Sequence, residues 1–192
     1  MKTLNQYIQE KLIINKDYIE VKIVVKSFDE LRKIIEDRYE KLGPGTEQKP
    51  IDFNDIDVSN LDSFYNRNRD IGIFGDTNFK YIDISDWDVS NVTNMSFIFY
   101  NSKKLESIGD LSSWDVSNVT DMNGMFFYCN ALKTVGDISG WNVSNVTHMS
   151  RMFYECKSFN QDISSWDVSN VIYKDSIFDN CPIKEEYKPK FK

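Results

Sequence analysis

Apolar positions along this chain recur with a long period, and one short string carries it. WDVSN or WNVSN begins at Trp87, Trp114, Trp141 and Trp166, with a decayed copy, IDVSN, beginning at Ile56. The tryptophans are 27, 27 and 25 residues apart, a period that marks a chain of stacked supersecondary units. A second apolar landmark, Phe79, Leu105, Leu132 and Phe159, divides each copy into two arms. From Trp87, Trp114 and Trp141 the next landmark is always 18 residues on, whereas landmark to tryptophan takes 8, 9, 9 and 7. Length varies in one arm only, so the constant arm is expected to be the more tightly packed.

In the variable arm, Leu105 to Trp114 predicts a short strand with Ile108, Leu111 and Trp114 turned inward; Ile82, Ile84 and Trp87, then Val135, Ile138 and Trp141, are their equivalents. In the constant arm, Met122, Met125 and Phe126 stand at i, i+3 and i+4, the spacing of one helical face. Short helices are expected there, with Thr93, Thr120 and Thr147 as N-caps. Two helical turns are unstable alone in water, so each copy needs stacked neighbours.

Residues 1–50 lack the repeat. Leu4, Tyr7, Ile8 and Leu12 predict a short amphipathic helix, and Tyr18 to Val25 is prone to form a strand. Ser27 to Glu30 is a capping-box signature for a helix carrying Leu31, Ile34, Ile35 and Leu42, stopped by Gly43-Pro44-Gly45. The chain thus divides into a 1–50 capping or docking unit, repeats over 51–183 and a charged, frayed tail over 184–192. Leu4, Tyr7, Ile8 and Leu12 have two readings: a cover for the first copy, or a docking helix offered to a partner.

Composition adds the sign of the surface. At 41% hydrophobic and 14% aromatic, 192 residues suffice for a sizeable core. The net charge of -7 arises in residues 51–172, which hold 17 acidic and 8 basic side chains. Such a surface repels phosphate backbones and anionic lipids, arguing against direct nucleic-acid or membrane binding and for a basic protein partner. No membrane-span-length apolar run occurs, and the N-terminus has no signal-peptide h-region or cleavage site. The expected location is cytoplasmic or virion-associated, not secreted.

The pattern L-x-x-I-x-D-L-S-x-W-D-V-S-N-V-T-x-M-x-x-M-F-x-x-C, in four registered copies, resembles the BspA-type leucine-rich repeats of bacterial and phage proteins over about residues 51–183. The resemblance implies an α/β leucine-rich-repeat-type solenoid, with stacked parallel strands on one side and short helices on the other, here with an α+β N-terminal cap. It also implies adhesion or protein binding. The opening LNQYIQEKLIINK is similar to the starts of phage and mobile-element proteins.

Stacking converts each repeat position into a column. Asn91, Asn118, Asn145 and Asn170 are expected as a buried ladder serving adjacent backbones; the N-x-T sequons at the first three are incidental to that position. Cys129, Cys156 and Cys181 each lie 15 residues after a tryptophan, where the earliest full copy has Ser102, and are expected as small packing residues, neither disulfide-bonded nor metal-bound. Asp83, Asp110, Asp137 and Asp162 precede each tryptophan by four residues and alternate with inward apolar neighbours, so they should face outward. A second acidic column, Asp88, Asp115 and Asp167, is interrupted by Asn142. These columns are either turn-capping solvated groups or a face for basic groups; a calcium row would need a glycine-rich loop pattern that is absent. His148, the only histidine, is expected to be exposed at a helix start. No nucleophile motif, phosphate loop or metal cluster accompanies these columns, so no catalysis, cofactor or metal is expected.

The expected function is non-catalytic protein binding through the acidic sheet face. Two alternatives stay open: a phage or mobile-element structural protein docked through its N-terminal helix, and an acidic decoy of a host nucleic-acid-binding protein.

Overall fold

A computed structural model describes residues 12–13 and 22–191. Strand β1, Leu12–Ile13, pairs antiparallel with β2, Lys22–Val24, which pairs in parallel with β4, Ile56–Asp57. Leu12 therefore lies in a strand and not in the expected helix, while Leu4, Tyr7 and Ile8 fall outside the described residues. Helix α1, Phe28–Leu42, starts where Ser27 accepts the Glu30 N–H at 3.2 Å and ends at Gly43, φ 74°, whose N–H bonds Tyr39 O at 2.8 Å. Leu31, Ile34 and Ile35 are buried, but Leu42 is 61% exposed, because the helix ends there, away from the core stripe.

Strand β3, Ile51–Asp52, pairs in parallel with β7, Ile82–Asp83; β5, Tyr65–Asn66, and β6, Ile71–Gly72, form an antiparallel pair. Beyond β7 the copies are joined by single parallel bridges. Tyr81, Ser107 and Thr134 form one row; Ser63, Asn94, Asp121, His148 and Tyr173 form another.

The helices expected in the constant arm do not form. Met122, Met125 and Phe126 lie in consecutive turns closed by Met125 N–H to Met122 O, Phe127 N–H to Gly124 O and Cys129 N–H to Phe126 O. Alternate N–H groups leave the arm altogether: Met122, Gly124, Phe126 and Tyr128 donate to the carbonyls of His148, Ser150, Met152 and Tyr154 in the next copy. Left-handed residues at Gly124 and Tyr128, φ 58° and 60°, turn the chain so that its amides point outward along the stack. Phe97, Asn101, Arg151, Glu155, Ser176 and Asn180 repeat that conformation. Apolar spacing of i, i+3, i+4 served this path as well as a helix would, which is why periodicity alone misassigned it.

Side chains reinforce the joints. Each indole N–H donates to a carbonyl of the preceding copy: Trp87 to Phe53, Trp114 to Ile84, Trp141 to Leu111 and Trp166 to Ile138, at 2.8–3.2 Å. Thr93, Thr120 and Thr147 do the same through Oγ1 to Asp62, Thr93 and Thr120, in place of the expected helix capping. In the core Phe74, Phe99, Phe126, Phe153 and Phe178 stack ring on ring at 5.3–5.8 Å.

The first copy is closed by α1. Arg32 Nη1 donates to Ile73 O at 3.0 Å and Gly75 O at 2.9 Å, with a longer contact to Gly72 O. Arg38 lies over the Phe53 ring, bonds Asp52 O and pairs with Asp55 at 2.6 Å. At the other end the residues after 183 are not frayed: Tyr187, in the 3-10 helix Glu185–Tyr187, accepts the Ile163 N–H at 3.0 Å, and Ile183 and Pro189 are buried. The aliphatic and aromatic members of this charged segment fold it back. Among the described residues no helix is long and apolar enough to cross a membrane.

Candidate binding surface

The carboxylates singled out by position stand on the strand side, and each is held by the turn that follows it. Asp83 Oδ1 accepts the Ser85 N–H, Asp110 that of Ser112, Asp137 that of Ser139 and Asp162 that of Ser164, at 2.9–3.1 Å. Asp110, Asp137 and Asp162 are exposed and Asp83 is half-buried. In the second column Asp88, Asp115 and Asp167 accept from Ser90, Ser117 and Ser169 in the same way. Asn142 Oδ1 accepts from Ser144 at 3.2 Å, so that register requires an acceptor and not a charge.

Two adjoining hollows run along this face. One, of 330 Å³, is bordered by Glu47, Tyr81, Asp83, Glu106, Gly109 and Lys133; the other, of 610 Å³, by Gly136, Asp137, Gln161, Asp162 and Tyr187. Thr134 borders both. Gly136, φ 83°, has no room for a side chain, since a Cβ would fall 1.8 Å from Asp110 Oδ1. Glu106 accepts from Tyr81 Oη at 2.8 Å and from Lys133 Nζ at 3.0 Å, linking three copies.

Hydrogen bonds to the charged form hold several of these acids below their ordinary value of 3.8. For Asp88, Asp115 and Asp137 the serine hydroxyl or side-chain contact leads and the backbone N–H follows; for Asp162 the Ser164 N–H leads. At Asp83 burial is the largest influence and works the other way, but the bonds from Ser85 and Asn54 together outweigh it. A depressed folded-state pKa contributes stability that is complete above 3.8 and is lost as pH falls through the folded value. Asp115→Asn is thus expected to lower the neutral-pH urea midpoint slightly and, by the same amount, to shrink its decline below pH 3.8, measured by urea titrations across that range.

Other columns are structural. Asn91, Asn118, Asn145 and Asn170 donate to Ser59, Ser90, Ser117 and Ser144 carbonyls at 2.7–2.9 Å, but the residues are exposed and not buried, because the turn carrying them lies at the surface. Cys129 and Cys156 are buried, free thiols whose Sγ contacts Phe99 O and Phe126 O; burial pushes both thiols up. Cys181 is a free, half-buried thiol, and Ser102 Oγ makes the equivalent bond to Phe74 O. His148 is half-buried, not exposed at a helix start: it is bridged on both sides and stacks on Tyr173 at 4.3 Å. Among the described residues no three His, Cys, Asp or Glu side chains converge as metal ligands.

One surface feature escaped the sequence reading. Tyr100, Phe127 and Tyr154 form an outer, half-buried stack at 5.0–5.4 Å, with Tyr128 edge-on to the last two. Their recurrence one residue after the inner phenylalanines Phe99, Phe126 and Phe153 was the available signal.

Residues 52–189 match a family model described as "Mycoplasma protein of unknown function, DUF285". The chain belongs to the DUF285 family. The match spans the decayed copy, the four full copies and most of the segment after them, so the DUF285 region includes the tail residues that fold back. No curated protein and no solved structure matches the chain.

Proposed function

We propose that this DUF285 chain is a non-catalytic binding module whose repeats form a solenoid of the BspA-like kind, taking a basic protein partner on its strand side. The parallel bridges between copies support the solenoid, with turns where leucine-rich repeats of this type were expected to carry helices. The observation that carries the binding reading is the half-occupied carboxylate. Asp110, Asp137 and Asp162 each spend Oδ1 on a serine amide, while Oδ2 accepts no hydrogen bond from the described residues. The turn fixes each group's direction, so a partner cation meets an oriented acceptor and loses less entropy in forming the contact.

Asn142 supplies the design of the test, since asparagine preserves the turn bond and deletes the charge. The triple variant Asp110→Asn, Asp137→Asn, Asp162→Asn is expected to stay folded, with a thermal midpoint only slightly below the wild type. Its affinity for an arginine-rich peptide probe should fall at least tenfold by calorimetry at low salt, and capture of basic proteins should weaken in parallel. Unchanged affinity with a folded variant would remove the strand side as the binding face.

A further inference from the structure

On the turn side each joint begins with two amides that point back, as Thr147 and His148 do to Thr120 O, and then runs forward only. Between the second and third full copies the N–H groups of Met122, Gly124, Phe126 and Tyr128 point forward to carbonyls of the later copy. Between the third and fourth, Met149, Arg151, Phe153 and Glu155 donate to Tyr173, Asp175, Ile177 and Asp179. Such a ladder leaves carbonyls over at its start and amides over at its end. At the start, Ile73 O and Gly75 O occupy the register of Ile98 O and Tyr100 O, and Arg32 supplies the donors that a preceding copy would bring. At the end, the N–H groups of Ser176, Phe178 and Asn180 stand in the register of Arg151, Phe153 and Glu155, and among the described residues none of them finds an acceptor.

The same end carries unmatched apolar surface. Of the three large hydrophobic side chains that are exposed among the described residues, two are here, Ile172 at 69% and Tyr173 at 52%. Phe178 is the last ring of the inner stack and is only half-buried. The segment after 183 lies along this end: Tyr187 O takes the Ile163 N–H, Lys188 Nζ stands 5.6 Å from the Phe178 ring and Lys174 Nζ 5.8 Å from the Phe191 ring, but none of them accepts from these three amides.

We propose that this turn-side edge, Ile172 to Asn180, docks a segment of a partner protein by backbone addition. The segment offers carbonyls at alternate positions, with an apolar side chain to lie over Phe178. Continuity with the four existing joints fixes that chemistry: every amide in this register elsewhere meets a carbonyl, and every inner ring after Phe74 has a ring on its near side. Main-chain bonds supply the affinity in this mode and side-chain pockets the selectivity. The site is separate from the strand-side carboxylates and does not depend on them.

A peptide with the sequence of residues 145–158, NVTHMSRMFYECKS, carries the required pattern and serves as the probe. In amide exchange by NMR on the full chain, Ser176, Phe178 and Asn180 should exchange at least tenfold faster than Arg151, Phe153 and Glu155. Saturating peptide should then slow the first three at least tenfold and leave the second three unchanged. Ile172→Asp, which alters an exposed side chain, should weaken the peptide at least tenfold while preserving the spectrum of the other copies. Protection of the three amides without peptide, or no added protection at millimolar peptide, would overturn the proposal.

Discussion

Trp141→Ala is expected to cost about 3–5 kcal/mol, the range for deleting a buried aromatic side chain. Trp141 is 5% exposed and lies parallel between Trp114 and Trp166, with centroids 6.4 and 6.1 Å away. Removal opens a gap that two further copies share, so relaxation of one cannot close it for the other. Trp141→Phe separates the contributions. It keeps a ring in the stack and deletes the N–H that reaches Leu111 O at 2.9 Å, a carbonyl that still accepts the Trp114 N–H at 3.1 Å. That variant should therefore cost only about 1–2 kcal/mol. Urea denaturation of both variants checks the order; equal losses would mean that the indole's bond, and not its volume, dominates.

Arg32→Ala should cost about 2–3 kcal/mol, because it strips a charged donor from inward-facing carbonyls that have no other partner in their register. Its side chain is only 14% exposed, so water replaces it poorly. The accompanying ion pair with Glu36, at 2.8 Å, is a half-exposed helical pair and contributes little. Glu36→Ala should accordingly stay within about 0.5 kcal/mol of wild type. Thermal melts compare the two, and amide exchange should place the Arg32→Ala loosening at Phe74 and Asp76, the forward donors that follow the carbonyls Arg32 holds.

Much of this architecture was legible in the residues because stacking makes identity periodic. The WDVSN register located the tryptophans, the cysteine and serine column and both acidic rows, and alternation alone placed Asp110, Asp137 and Asp162 outward. What was not legible follows from geometry that spacing does not encode. Met122, Met125 and Phe126 meet the helical template, yet nothing in Tyr128 or Arg151 announces a left-handed residue. The asparagine ladder was recognised but placed inside, since a ladder is as useful at a surface turn as in a core. Asn142 was read as a break in an acidic column, whereas its bond to Ser144 shows the column's conserved chemistry to be acceptance.

The excess of forward-pointing amides has an electrical consequence. In each of the first three full copies four turn-side N–H groups point forward and two point back, so their dipoles add in part as those of a helix do, with the positive pole where amides are left over and the negative pole where carbonyls are. Arg32 sits at the negative pole, as a cation does at a helix C-terminus. Such an end effect falls off over the nearest turn, so the charge placed at either terminus acts on the joint beside it and not on those further along.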